Sequence, residues 1–99
     1  MLNIIKEREG DKLTLALEGR LDTTTSPDLE KSLNESISGV TELVMDFEKL
    51  DYISSAGLRV LLAAQKIMNR QGGMKLRRVG DTIMEILEVT GFTDILTIE

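Results

Sequence analysis

Apolar and polar residues alternate in the segment KLTLALEG, which is the pattern of a half-buried β-strand. Leu13, Leu15 and Leu17 fall on one face of this strand. The preceding segment, LNIIKERE, alternates less regularly and is joined to it by the turn pair Gly10-Asp11. Two strands connected this tightly are expected to pair as an antiparallel hairpin.

A helical spacing follows this hairpin, in the segment SPDLEKSLNESI. Leu29, Leu33 and Ile37 recur every four residues and form one apolar stripe. Ser26 is suited to cap the helix and Pro27 to occupy its first turn. This segment predicts an amphipathic helix that ends at Ser38-Gly39.

The remaining segments alternate between strand and helix patterns. TELVMDF, with three consecutive apolar residues, predicts a strand buried on both faces. Helices are predicted over 55–70 and from Asp81 to Gly91, a fourth strand at MKLRRV, and a turn with a final strand at FTDILTIE. The predicted order is β-β-α-β-α-β-α-β, an α/β fold forming one domain over residues 1–99, with an antiparallel hairpin followed by a mainly parallel sheet.

Composition narrows the possible functions. The chain has no cysteine and no histidine, which removes disulfides, thiolate chemistry and the usual neutral-pH acid-base group. Twelve basic and seventeen acidic residues give a net charge of −5, which disfavours nucleic acid and anionic membranes as partners. The N-terminus lacks a signal-peptide pattern and no apolar run is long enough to span a bilayer, so we expect a cytoplasmic location.

Several common kinds of site are not predicted. No Ser-x-x-Lys dyad, P-loop or G-x-G-x-x-G motif occurs, so the sequence predicts neither an enzyme nor a bound cofactor or metal. Asp46, Glu48 and Asp51 could hold a hard cation, but a solvated strand exit explains them more simply. Five basic residues also cluster, and we interpret them as a solvated edge because adjacent strand residues point to opposite faces: Lys66, Arg70, Lys75, Arg77 and Arg78.

The segment DYISSAGLRVLL places two serines and a glycine directly before a strongly apolar helix. A helix start needs only one capping hydroxyl, and glycine in a first turn costs about 0.5–1 kcal/mol relative to alanine. Ser54 and Ser55 are therefore either a capping pair or the site of a modified hydroxyl, where the free amides of the helix start would favour a phosphate. Gly57 would keep the first turn bare, so that another protein could approach closely.

Three segments together resemble the STAS domain, the module of anti-sigma factor antagonists. They are LVMDFEKLDYISSAGLRVLL, LEGRLDTTTSPDL with its Leu-Asp pair, and GGMKLRRVGDTIMEILEVTGFTDILTI with its glycine-aromatic step. The resemblance covers essentially the whole chain. It implies a binding protein that is not an enzyme.

The resemblance also implies a mechanism and its residues. In that family an ATP-binding serine kinase, which also sequesters a sigma factor, phosphorylates a serine at the start of the second helix. The unmodified antagonist binds this kinase and frees the sigma factor, and a serine phosphatase resets the system. By position the phosphoacceptor is Ser55, with Ser54 as second choice, and the expected partner-binding residues are Asp22, Thr23, Ser54, Ala56, Gly57 and Arg59.

The chain departs from the family pattern at two positions near the acceptor. A common glycine is Arg59, which adds a charge to the expected contact face, and the aspartate that usually precedes the acceptor is Ser54, which leaves an alternative open. The protein could instead be a constitutive STAS scaffold that binds its partner without phosphorylation. For the oligomeric state, the sequence is compatible with a monomer or a weak dimer.

Overall fold

The structure is a computed structural model that describes residues 1–99. Four strands and three helices follow one another in the order β-β-α-β-α-β-α. Their bounds are β1 Leu2–Glu9, β2 Lys12–Leu21, α1 Ser26–Ser36, β3 Glu42–Ile53, α2 Ser55–Gln71, β4 Gly73–Arg77 and α3 Asp81–Val89. A short 3₁₀ turn, Phe92–Asp94, follows α3.

The strands form one sheet in the order β1-β2-β3-β4. β1 and β2 pair antiparallel, whereas β2 with β3 and β3 with β4 pair parallel. The predicted hairpin and the mainly parallel sheet are therefore confirmed. Because β2 and β3 are parallel, their carboxyl ends lie at the same edge of the sheet.

All three helices pack against one face of this sheet. Alternate strand residues such as Leu15, Met45 and Leu76 are fully buried there and join one hydrophobic cluster with residues of the helices, including Leu61 and Leu87. The opposite face carries no helix and is lined by more polar side chains from the other set of alternate positions. The core therefore lies between the sheet and a single helical layer.

Three predicted elements differ from those observed. The expected final strand is reduced to a single parallel bridge between Leu76 and Ile98, because the 3₁₀ turn at 92–94 and the turn and bend that follow it occupy the segment up to residue 96. β3 is longer than predicted and continues to Ile53, with register shifts against β2 that interrupt its simple alternation. At α1 the N-cap position is Thr25 rather than Ser26.

Candidate functional site at the start of the second helix

Two connections meet at the carboxyl edge of the sheet. Leu21 at the end of β2 pairs with Ile53 at the end of β3, and the backbone N–H of Ser54 donates to the Leu21 carbonyl at 2.9 Å. This hydrogen bond holds the β2–α1 connection, which begins with Asp22, beside the start of α2. The Leu-Asp and Ser-Ser segments, about thirty residues apart in the chain, are thus brought together.

The two serines have different environments. Ser54 is the N-cap of α2, half-buried, and its hydroxyl accepts a hydrogen bond from the Gly57 amide at 3.4 Å. Ser55 is the first residue of α2 and is exposed, and its hydroxyl takes part in none of the side-chain hydrogen bonds of the domain. The amides of Ser55 and Ala56 have no acceptor within the helix, as is general for a first turn. Ser55 is therefore the accessible hydroxyl, and Ser54 is engaged in capping.

Asp22 organises the connection beside these serines. Its Oδ1 accepts hydrogen bonds from the backbone amides of Thr24 and Thr25, at 3.0 and 3.1 Å, and from both of their hydroxyls. These contacts, with the Thr24 hydroxyl as the largest cause, hold the pKa of the Asp22 carboxyl below its usual value. Asp22 therefore remains ionised and fixes the shape of this turn.

The other predicted site residues surround Ser55 to different extents. Thr23 and Arg59 are exposed and Ala56 is half-buried. Arg59 follows Ser55 by four residues, so the two lie on the same side of α2.

Arg20 is a neighbour of this site that sequence reasoning missed. Its guanidinium lies 4.4 Å from the centroid of the Tyr52 ring and 3.8 Å from Asp22 Oδ2. Arg20 and Tyr52 are register partners on β2 and β3, so only the strand pairing could have indicated this contact.

Gly57 has a different role from the one expected. It is buried, and a Cβ at this position would lie 2.8 Å from Leu21 Cγ and 2.9 Å from Ile53 Cγ1. Such distances are shorter than carbon–carbon contact allows. The expectation that Gly57 leaves the helix start open to a partner is corrected: its missing side chain lets α2 approach the sheet from inside the domain.

A second polar cluster lies on the open face of the sheet and contradicts two expectations. Asp46 is only 4% exposed and lies within β3, so it is not part of a solvated strand exit. Its carboxylate binds Arg77 at 3.3 Å and also Arg78, which contacts Glu48 at 3.4 Å. Arg77 and Arg78 therefore reach the same carboxylate, although alternation had predicted opposite faces.

The backbone explains this convergence. β4 ends at Arg77, and Arg78 has a left-handed backbone with φ of 55°, which turns its side chain back toward the sheet. Burial by itself raises the pKa of Asp46, but hydrogen bonds from Arg78, from the Glu48 amide and from Arg77 outweigh it, and the pKa lies below its ordinary value of 3.8. Because these cations occupy the Asp46 carboxylate, and because no group of three possible ligands has a metal-binding arrangement, the hard-cation hypothesis is not supported.

Comparison with known proteins places the fold and these two connections in a family. The sequence profile of the STAS domain matches residues 3–99. The chain belongs to the STAS domain family. The match extends over both connections that meet at Ser55, as well as the packed helices and the sheet.

Similar proteins include named bacterial regulators. BtrV of Bordetella bronchiseptica is 35% identical over 88 residues, which cover 87% of this chain and 76% of BtrV. The anti-sigma-B factor antagonist of Listeria monocytogenes is 31% identical over 98 residues, 96% of this chain and 85% of that protein. This STAS domain therefore has anti-sigma factor antagonists among its relatives.

A solved structure shares the fold at low sequence identity. Unphosphorylated SpoIIAA, an anti-sigma factor antagonist, superposes with a TM-score of 0.84 at 18% identity over 98% of this chain and 88% of its own. The phosphorylated form of Bacillus SpoIIAA gives a TM-score of 0.76, also at 18% identity, over 98% and 91% of the two chains.

In the present structure no helix combines the length and apolar character needed to cross a membrane.

Proposed function

We propose that this protein is an anti-sigma factor antagonist whose docking is controlled by phosphorylation of Ser55. Unmodified, it binds an ATP-binding anti-sigma factor serine kinase and so releases the sigma factor. Phosphorylation by that kinase ends the interaction, and a serine phosphatase restores it. The observation that carries the proposal is the exposed, unbonded hydroxyl of Ser55 at the first position of α2, beside the connection that Asp22 orders.

The geometry supports Ser55 as the acceptor of a phosphoryl group transferred by a separate kinase, rather than as a catalytic nucleophile of this protein. No general base hydrogen-bonds its hydroxyl, and the chain has no histidine or cysteine. Its exposure lets a separate kinase bring the γ-phosphate to the oxygen. Names of relatives agree with this role, since the Listeria protein is an anti-sigma-B factor antagonist and SpoIIAA exists in phosphorylated and unphosphorylated forms.

A phosphate at Ser55 would leave the domain folded. The modified oxygen lies outside the core and next to amides that have no helical acceptor, where negative charge is favoured by about 0.3–1 kcal/mol. Ser54, which caps the helix, keeps its hydrogen bond to Gly57. The modification therefore changes the surface and not the fold.

The same phosphate would block a complementary partner. It adds about −1.5 to −2 charges and three acceptor oxygens at a point where docking removes water. A penalty of about 2–4 kcal/mol would weaken binding by roughly 30- to 700-fold. We propose that the contact surface comprises the groups around Ser55, namely Asp22, Thr23, Ser54, Ala56 and Arg59, with Gly57 supporting them from inside.

Phosphate mapping tests this proposal. The purified protein is incubated with the anti-sigma factor kinase of its own organism and ATP, and the modified residue is located by mass spectrometry. We expect one phosphate on Ser55, unchanged labelling of Ser54→Ala and no labelling of Ser55→Ala. Labelling that follows Ser54 would refute the choice of residue, whereas kinase binding without any labelling would favour the constitutive scaffold.

A further inference from the structure

The second helix has a charge opposite to that of the protein as a whole. The chain has twelve basic and seventeen acidic residues, yet α2 contains Arg59, Lys66 and Arg70 and no acidic residue. All three basic side chains are exposed. An acidic protein therefore presents one locally cationic helix.

The three side chains form a single line. At about 100° per residue, Arg59, Lys66 and Arg70 point within roughly 40° of one another around the helix axis, and Ser55 points within roughly 60° of all three. At 1.5 Å per residue, the line from Ser55 to Arg70 is about 22 Å long. We call Arg59, Lys66 and Arg70 the basic ridge, and Ser55 lies at its head.

Nothing inside the domain neutralises the basic ridge. None of its members forms an ion pair, whereas six other basic residues each pair with a carboxylate, and these are Lys12, Arg20, Lys49, Lys75, Arg77 and Arg78. Arg8 donates hydrogen bonds to backbone carbonyls instead. The five basic residues that seemed clustered in the sequence are thereby separated: Lys75, Arg77 and Arg78 are used within the domain, and Lys66 and Arg70 are free.

We propose that the basic ridge is a docking surface for an acidic face of the partner protein that recognises Ser55. This proposal rests on the proposed function and adds the chemistry of the partner. Nucleic acid and anionic membranes carry negative charge well beyond the length of the basic ridge, where the net charge of −5 repels them, so a cationic line of about 22 Å is best matched by an acidic patch of similar length on a protein. A phosphate on Ser55 would lie one turn from Arg59, so it would repel such a patch and compete with it for that guanidinium.

Paired charge reversals separate this surface from the general effect of charge. The ridge variant Lys66→Glu/Arg70→Glu leaves Ser55 and its first turn unaltered. The control Lys6→Glu/Lys31→Glu makes the same change in net charge at two other exposed, unpaired lysines, in β1 and α1. Affinity for the anti-sigma factor kinase is measured at low and at high salt.

We expect the ridge variant to bind at least about tenfold more weakly at low salt, the control to stay within about twofold of wild type, and high salt to reduce the difference. Equal losses in the two variants, or a loss in neither, would overturn the ridge proposal and leave phosphorylation of Ser55 untouched. If the kinase does not bind even the wild type, the proposed function fails. Binding of the wild type and of the two variants to immobilised poly-L-glutamate then tests the basic ridge. Binding by the ridge variant as strong as that of wild type would overturn the ridge proposal.

The ridge variant and its control also test whether the basic ridge binds an anionic membrane or nucleic acid instead of a protein. Vesicles containing phosphatidylserine and a duplex oligonucleotide are offered to wild-type protein and to each variant. Binding of either probe that is lost only in the ridge variant would overturn the assignment to a protein partner. Absence of binding to both probes supports it.

Discussion

Gly57 in the first turn of α2 lies directly against Leu21 at the end of β2. The contact lets the helix start so close to the sheet that the Ser54 amide reaches the Leu21 carbonyl, at 2.9 Å. Leu21 and Ile53 fill the space that a Cβ of residue 57 would occupy. The position of Ser55 at the surface therefore depends on a glycine beneath it.

Replacing Gly57 by alanine should destabilise the domain. The added methyl would stand 2.8 Å from Leu21 Cγ, and relief of this overlap should cost about 1–3 kcal/mol, more than the gain of about 1 kcal/mol in helix propensity. Urea unfolding would show a lower midpoint. Gly80→Ala is the matched control, because its Cβ would meet nothing within 4 Å, and equal stabilities of the two variants would contradict the packing role.

Asp46→Asn should lower the free energy of unfolding at neutral pH by about 1–3 kcal/mol, because Arg77 and Arg78 lose a charged acceptor. Asp46 has a depressed pKa in the folded state, so its stabilisation is present above the ordinary value of 3.8 and is lost as the pH falls through the folded value. Urea titrations across this range should show wild type and variant converging at acidic pH. Glu48→Gln, at an exposed position, is the control and should change the free energy of unfolding by less than about 0.5 kcal/mol. If the stability difference between wild type and Asp46→Asn does not depend on pH, the stabilising role of the ionised Asp46 carboxylate is contradicted.

Asp22→Asn should loosen the connection that lies beside Ser55. The carboxylate accepts from the amides of Thr24 and Thr25, so its loss of charge should speed hydrogen exchange at those two amides. Because the pKa of Asp22 is lowered in the folded state, wild type should lose the same protection, measured relative to the intrinsic exchange rate at each pH, only as the pH falls through that folded value, below 3.8. Unchanged exchange at Thr24 and Thr25 would show that the carboxylate does not hold this turn.

Ser54→Ala should cost stability without preventing modification. The hydroxyl accepts a long hydrogen bond of 3.4 Å from the Gly57 amide. Removing this bond should lower the free energy of unfolding by about 0.5–1 kcal/mol, near the lower end of the range for N-cap residues. Thermal unfolding measures this cost, and Ser55→Ala, which removes no intramolecular hydrogen bond, is the control. Equal losses in the two variants would show that the capping role is not confined to Ser54.

Ser55→Asp should separate binding from folding. A carboxylate at the first position of α2 suits the helix start, so the unfolding temperature should change little. Affinity for the anti-sigma factor kinase should fall by about 30-fold or more if docking desolvates this position. Calorimetry measures both quantities, and a binding loss no larger than that of Lys31→Glu would contradict the switch.

Local patterns were sufficient for most of the fold. Alternation of Leu13, Leu15 and Leu17 identified β2 and its buried face, and continuous apolar residues identified β3 as a strand without an exposed face at its centre. These predictions succeed because successive side chains of a strand point to opposite faces of the sheet, so the sequence records whether one face or both faces are buried. The end of the chain was less predictable, since FTDILTIE can form either a strand or a turn, and pairing with β4 is confined to one bridge.

The amino-acid sequence by itself determined the order of the elements, the start of α2 and the two serines there, because capping, periodicity and strand alternation are properties of neighbouring residues. Only the tertiary structure decided which of the two serine hydroxyls has no hydrogen bond and which basic residues form ion pairs. It also decided that Gly57 packs against the sheet inside the domain. Asp46 meets Arg77 and Arg78 across more than thirty positions, and Gly57 meets Leu21 across a similar interval. Such contacts are set by strand register and by the closeness of helix to sheet, which no local pattern records.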